Sequence, residues 1–161
     1  MSNEVVIERI FNAPITRIWA AWTEPEQAKK WWGPKNFTAP VMQIDFRVGG
    51  KYLFCMRAEE GLPAEMVGKD FWSTGTYKEI VPMQKIICTD SFADKDGNIV
   101  SAEVYGMPDH PLEMEVTILF EDLGDNRTKM ILRHVGMPAG VMQDQMTVGW
   151  NESFDKMDVS L

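Results

Sequence analysis

The chain has 161 residues, 45% hydrophobic and 25% charged. At about 100–200 residues per domain this is the length of one domain, and the composition is that of an ordinary globular protein. A disordered, collagen-like or disulfide-framework chain is excluded. Sixteen Lys and Arg against 24 Asp and Glu leave a net charge of −8. That balance argues against nucleic acid as a partner, because phosphate binding draws on clustered cations, and equally against an anionic membrane surface.

The opening residues 1–9 include Glu4, Glu8 and Arg9, where a signal peptide would need an apolar core of about 7–15 residues. No apolar run approaches the ~18 residues of a membrane span. The expected location is therefore the cytoplasm. Cys55 and Cys88 form no CxxC pair and read as buried free thiols.

Strand one is predicted over Glu4–Phe11, where Val5 and Ile7 alternate with Glu4 and Glu8. Pro14 suits the first turn of a helix whose apolar face is Ile15, Ile18, Trp19 and Trp22. Thr23 and Glu26 have capping-box spacing, which predicts a second short helix to about Trp31, stopped by Gly33 and Pro34. Strand two is predicted over Pro40–Arg47, a turn at Gly49 and Gly50, and strand three over Lys51–Arg57. Alternation in strand three sets Tyr52, Phe54 and Met56 on one face. Asp45 and Arg47 would share a face of strand two, either as an ion pair at a solvated edge or as a polar anchor.

Residues 59–69 read as a polar loop. Strands four and five are predicted over Phe71–Val81 and Lys85–Phe92, a turn at Asp94–Gly97, and a mostly irregular segment from Asn98 to Pro111. The clearest strand signal is Leu112–Glu121, where Leu112, Met114, Val116, Ile118 and Phe120 alternate with a largely polar set. Strand seven places Met130, Leu132 and His134 together. After Pro138 the period changes. Met142, Met146, Trp150, Phe154, Met157 and Leu161 form one stripe of a helix over 139–161, about 30 Å long. The prediction is an α+β fold: an antiparallel sheet of about seven strands, two short helices after strand one, and a long C-terminal helix covering the apolar face.

Several stretches in this order carry a resemblance: Asp45–Gly50, Gly75–Ile80 followed by Pro82, the turn Asp94–Gly97, and Gly149–Met157, with Phe11–Pro14 and Trp22–Glu26 fitting as well. Together they resemble the bacterial homologues of the C-terminal domain of the activator of heat-shock-protein-90 ATPase, within the START-like (SRPBCC) superfamily. The resemblance implies a helix-grip fold, a curved sheet around the C-terminal helix, with an apolar cavity between them. It also implies functions that range from ligand carriage through cyclase chemistry to partnership with a chaperone ATPase.

The chain has no dinucleotide fingerprint, P-loop, zinc-protease or hydrolase-elbow motif. The turn Asp94–Gly97 lacks the glycine and glutamate of a calcium loop. No cofactor or metal is expected. Of the two histidines, His110 reads as a loop residue. His134 shares a face with Met130 and Leu132, and is either a core histidine or an acid–base group in a cavity wall. Gly149 costs a helix about 1 kcal/mol relative to alanine, so it admits either close approach of the sheet or a ligand. Trp31 and Trp32 could rim a cavity mouth.

A catalytic set would have to be built from His134, Tyr77 and Tyr52. Binding of a small hydrophobic or amphipathic ligand is therefore the leading expectation, ahead of chaperone interaction and of an enzyme. Its expected site is Tyr52, Phe54, Met56, Tyr77, Met114, Val116, Ile118, His134, Met146, Gly149 and Trp150.

Overall fold

A computed structural model describes residues 3–161; Met1 and Ser2, where the stretch read for a leader begins, lie outside the described residues. The elements follow in the order β1 (Glu4–Phe11), α1 (Ile15–Thr23), α2 (Pro25–Ala28), β2 (Phe37–Ile44), β3 (Lys51–Ala58), β4 (Asp70–Val81), β5 (Lys85–Ala93), a 3-10 turn (Ala102–Tyr105), β6 (Met114–Gly124), β7 (Arg127–Val135) and α3 (Val141–Ser160). The sheet order is β1-β7-β6-β5-β4-β3-β2, and every neighbouring pair is antiparallel. After β1 the chain crosses through α1 and α2 to the opposite edge and returns strand by strand. Bulges between Thr38 and Val41, Tyr77 and Glu79, and Asp122 and Gly124 break the ladders, and such breaks bend and twist a sheet.

One face of the sheet is buried, as the alternation requires. Val5, Ile7 and Phe11 of β1, Met114, Val116, Ile118 and Phe120 of β6, and Met130, Leu132 and His134 of β7 all point inward. Glu113 is exposed and Glu115 half-buried. Leu112 departs from the expected pattern: it precedes β6 and is 58% exposed. Strand two also lies earlier than predicted, so Asp45 and Arg47 sit past its end. There they form an exposed ion pair, with Arg47 Nε 3.0 Å from both Asp45 carboxylate oxygens.

The capping box does not form. The Thr23 hydroxyl donates back to the Trp19 carbonyl at 3.0 Å, within its own helix, and α2 starts on Pro25 with no side-chain cap. Proline at the first helical position needs no amide partner, which removes the demand for one. Helix α2 is only four residues long, and turns carry the chain on to Trp32. Trp31 is fully buried and donates to the Ala21 carbonyl at 2.8 Å, so it is core rather than rim.

Helix α3 is attached by its C-terminal half. Ser153, Phe154 and Met157 are buried, whereas Met142, Met146 and Trp150 are only half-buried. Phe154 meets the rings of Trp22, Trp31 and Trp150. Arg9 of β1 donates to the Asn151 carbonyl and pairs with Asp155. On the other side Lys156 Nζ donates to the carbonyl of Phe37 at 3.0 Å and reaches those of Trp32 and Pro34 at 3.4 Å. Lys156→Met keeps the stem and leaves these carbonyls without their cation. Urea unfolding should show a loss of about 1–3 kcal/mol, and an unchanged midpoint would mean that water replaces the ammonium at no cost.

Candidate functional site

The N-terminal half of α3 stands away from the sheet, and the gap is a cavity of about 940 Å³. Its floor is Met56 of β3, Phe71 of β4 and Phe92 of β5. The segment expected to be a polar loop supplies Met66, and the one expected to be mostly irregular supplies Tyr105, Met107 and His110. Met142, Met146, Gly149 and Trp150 of α3 form the roof, and Trp32, Pro34 and Phe37 one wall. Methionine side chains are flexible and polarisable, so such a wall can reshape around an apolar guest.

A second, much smaller void of about 30 Å³ lies deeper, bounded by Tyr52, Phe54, Tyr77, Ile86, Asp90 and Ile118 among others. It has the volume of about one water molecule. Trp32 and Trp150 line both spaces, with their rings edge to face at 5.6 Å. They form the partition.

The residues expected to make one site are therefore divided. Met56, Met146, Gly149 and Trp150 line the large cavity. Tyr52, Phe54, Tyr77, Val116 and Ile118 line the small void, together with Trp150. Met114 and His134 are buried and line neither. A Cβ on Gly149 would stand 3.3 Å from Pro34 Cγ. The glycine thus lets the helix approach the loop after α2, not the sheet, while opening onto the cavity.

His134 joins helix to sheet. Trp150 Nε1 donates to His134 Nδ1 at 3.0 Å, which leaves the ring proton on Nε2. That nitrogen faces Asp90 Oδ2 at 3.2 Å, though poorly aligned as a hydrogen bond. Asp90 Oδ1 in turn lies 3.1 Å from the Tyr52 hydroxyl, which also reaches the Thr89 carbonyl at 3.0 Å. Burial pushes the Asp90 carboxyl up, but His134 and the Tyr52 hydroxyl outweigh it and hold the group below the usual carboxylate range. Burial and then Asp90 push the Tyr52 phenol up.

Both imidazole nitrogens of His134 are thus turned inside the wall, and His134 lines neither space. His110 does face the cavity, its ring tilted against Phe92 with centroids 4.8 Å apart, and burial lowers its proton affinity. The Cys55 thiol is pushed up to about 11 by burial, and Cys88 is raised as well. Neither is poised as a thiolate nucleophile. Among the described residues no group of three or more His, Cys, Asp or Glu side chains is gathered as a metal site would need, and no helix is long and apolar enough to cross a membrane.

Asp90 and the cavity loops escaped the sequence reading. Strand β5 alternates too weakly to assign faces, and loop residues have no periodicity to read. One signal for Asp90 was available: Gly75. A Cβ there would collide with the Thr89 carbonyl and the Tyr52 ring, and Gly75 is the cross-strand partner of Tyr52. The missing side chain lets the phenol lie over β4 and reach β5.

A curved seven-stranded antiparallel sheet that holds a C-terminal helix over a cavity is the helix-grip arrangement. The chain belongs to the family described as Activator of Hsp90 ATPase homolog 1-like protein, whose model matches residues 12–161. Among solved structures it is similar to protein CV1439 from Chromobacterium violaceum, with 25% identity, a TM-score of 0.77, and 99% of this chain and 96% of that one covered. Protein Ms6760 from Mycobacterium smegmatis has 22% identity, a TM-score of 0.77 and 99% and 91% coverage. CalU16 from Micromonospora echinospora has 19% identity, a TM-score of 0.64 and 98% and 74% coverage. These last two likenesses are of fold. A search of the curated proteins gave no match.

Two outcomes are expected at the inner network. Gly75→Ala should displace the Tyr52 ring and destabilise the fold by about 1–3 kcal/mol, read as a lowered unfolding midpoint. Because folding lowers the proton affinity of Asp90, its contribution is complete above about pH 4 and is lost as pH falls through that range and below. Asp70 and Asp94 are lowered too, so Asp90→Asn should flatten, not abolish, the acid limb of the stability curve. Superimposable acid limbs for variant and parent would show that the Asp90 pairing adds nothing.

Proposed function

We propose that the protein binds a small hydrophobic or amphipathic molecule in the large cavity, as a ligand-binding module. The observation that carries this reading is the cavity itself. It has about 940 Å³ of space beneath the unattached half of α3, walled mainly by methionine and aromatic side chains. Known small-molecule sites occupy about 300–1,000 Å³ and have mostly apolar walls with a few polar groups. An apolar guest would take the place of water against this lining, which is the favourable direction for apolar surface.

The side chains lend less support to an enzyme. His134 accepts from Trp150 on Nδ1 and turns Nε2 toward Asp90, and the Tyr52 hydroxyl is committed to β5. Tyr77 lies by the inner void, behind the tryptophan partition. The three groups that could have made a catalytic set thus serve the wall.

The reading is tested with the neutral apolar dye N-phenyl-1-naphthylamine. Saturable one-to-one binding with enhanced emission is expected. Met146→Trp puts a larger side chain into the roof and should weaken the dye about tenfold or more, a cost of about 1.4 kcal/mol, while the unfolding midpoint stays close to the parent's. Failure of the folded parent to bind the dye saturably, or equal affinity in the filled variant, would sink the proposal.

A further inference from the structure

The polar groups on the cavity wall narrow the chemistry of its guest. We infer that the cavity takes a carboxylate-headed amphiphile, its head against the Lys69 ammonium and its apolar body among the methionines. This rests on the ligand-binding reading above.

Four ionisable side chains with clear roles line the space: Lys69, Asp70, Tyr105 and His110. Three of them are spoken for. Arg57 grips Asp70 with two hydrogen bonds, Nε to Oδ1 at 2.7 Å and Nη2 to Oδ2 at 3.0 Å. The Tyr105 hydroxyl donates to the Ala93 carbonyl and accepts from the Trp72 amide. His110 is half-buried with its ring tilted against that of Phe92, and an imidazole there favours its neutral form. Lys69 is the remaining cation, and it has neither an ion pair nor a side-chain hydrogen bond among the described residues.

Its surroundings strengthen the point. The Ala58 amide donates to the Lys69 carbonyl at 3.0 Å, Ala58 pairs with Phe37, and the Phe37 carbonyl holds Lys156. The main chain thus links Arg57, Lys69 and Lys156, and of these three cations Lys69 is the one that lines the cavity. Three carboxylates of this region have partners of their own. Asp70 is held by Arg57, Glu59 accepts from the Thr38 hydroxyl at 2.8 Å, and Glu152 interacts with Lys156. Neither Glu59 nor Glu152 lines the cavity.

In a chain of net charge −8, an anion is repelled by much of the surface, and Lys69 offers it a cation on the wall of an apolar space. A lysine presents a compact point charge on a flexible apolar stem. Such a charge can meet a carboxylate head from several directions, which leaves the apolar body free to settle among the methionines.

The test is competition against bound N-phenyl-1-naphthylamine at neutral pH by three molecules of one chain length: decanoate, 1-decanol and decylamine. Decanoate should displace the dye at about fivefold to tenfold lower concentration than decanol, the margin a partly exposed charge-assisted contact supports. Decylamine should be the weakest. Lys69→Met should erase the decanoate advantage and leave decanol unchanged, and raised salt should shrink it in the parent. Lys69 is exposed, so this variant should keep the parent's unfolding midpoint. Decanol equal to decanoate in the parent, or a decanoate advantage that survives Lys69→Met, would overturn the inference while the dye still bound. If none of the three displaced a bound dye, the inference would fail and the cavity would keep its ligand-binding reading. If the dye itself did not bind, both would fall.

Discussion

The hydrogen bond from Trp150 to His134 marks the point at which α3 parts from the sheet. On its C-terminal side the helix is sealed by Phe154 and Met157 and clamped across by Arg9 and Lys156. On its N-terminal side the same helix spans open space. A helix interior satisfies its own backbone groups, so it can bridge a gap without leaving them unpaired. Its side chains then decide what the gap accepts. The cavity exists because the junction at Trp150 is polar and specific: an indole donor needs an acceptor when buried, and His134 provides one at a fixed distance from β7.

The same junction explains why the interior holds a buried carboxylate at all. Asp90 would be costly beneath an apolar helix without partners. Its two oxygens meet His134 and Tyr52, and His134 passes the constraint on to Trp150. Three strands, β3, β5 and β7, and the helix are linked through side chains instead of backbone ladders. The arrangement rigidifies the deep end of the fold, where the void would hold only about one water, and leaves adaptability to the methionine-lined outer space. Rigid floor and pliable roof are separated by two indoles, Trp32 and Trp150.

Much of this was legible in the sequence, and the failures have identifiable causes. Period-two alternation in β6 and β7 set Met114, Val116, Ile118 and His134 inward, because a half-buried antiparallel strand must alternate. The four-residue steps from Met142 to Leu161 marked α3 for the same kind of reason. A stripe, however, shows which side of a helix is apolar and not what fills the space beneath it. Met142 and Met157 look alike in sequence, yet one roofs a cavity and the other is core. The division of the expected site residues between two spaces depends on where Trp32 stands, and Trp32 lies in a stretch without periodicity. Thr23 and Glu26 matched a capping pattern that Pro25 made unnecessary. Lys69 and His110 sit in loops, where residue type alone does not tell a solvated charge from one that faces a cavity.

The crossover through α1 and α2 has a consequence for how the molecule comes into being. It places β1 at one edge of the sheet and β2 at the other, so β1 neighbours not the strand made next but the last one, Glu4 opposite Val135. Contacts this distant along the chain slow folding, since a long loop must close before they are rewarded. During synthesis β1 emerges first and stays without a partner until β7 has been made. Its exposed Val6 and Ile10, on the face away from the core, and its two bare edges are then open to any other strand. The alternating Glu4 and Glu8 on that same outward face would act as gatekeepers during the wait, keeping nascent copies from pairing with one another.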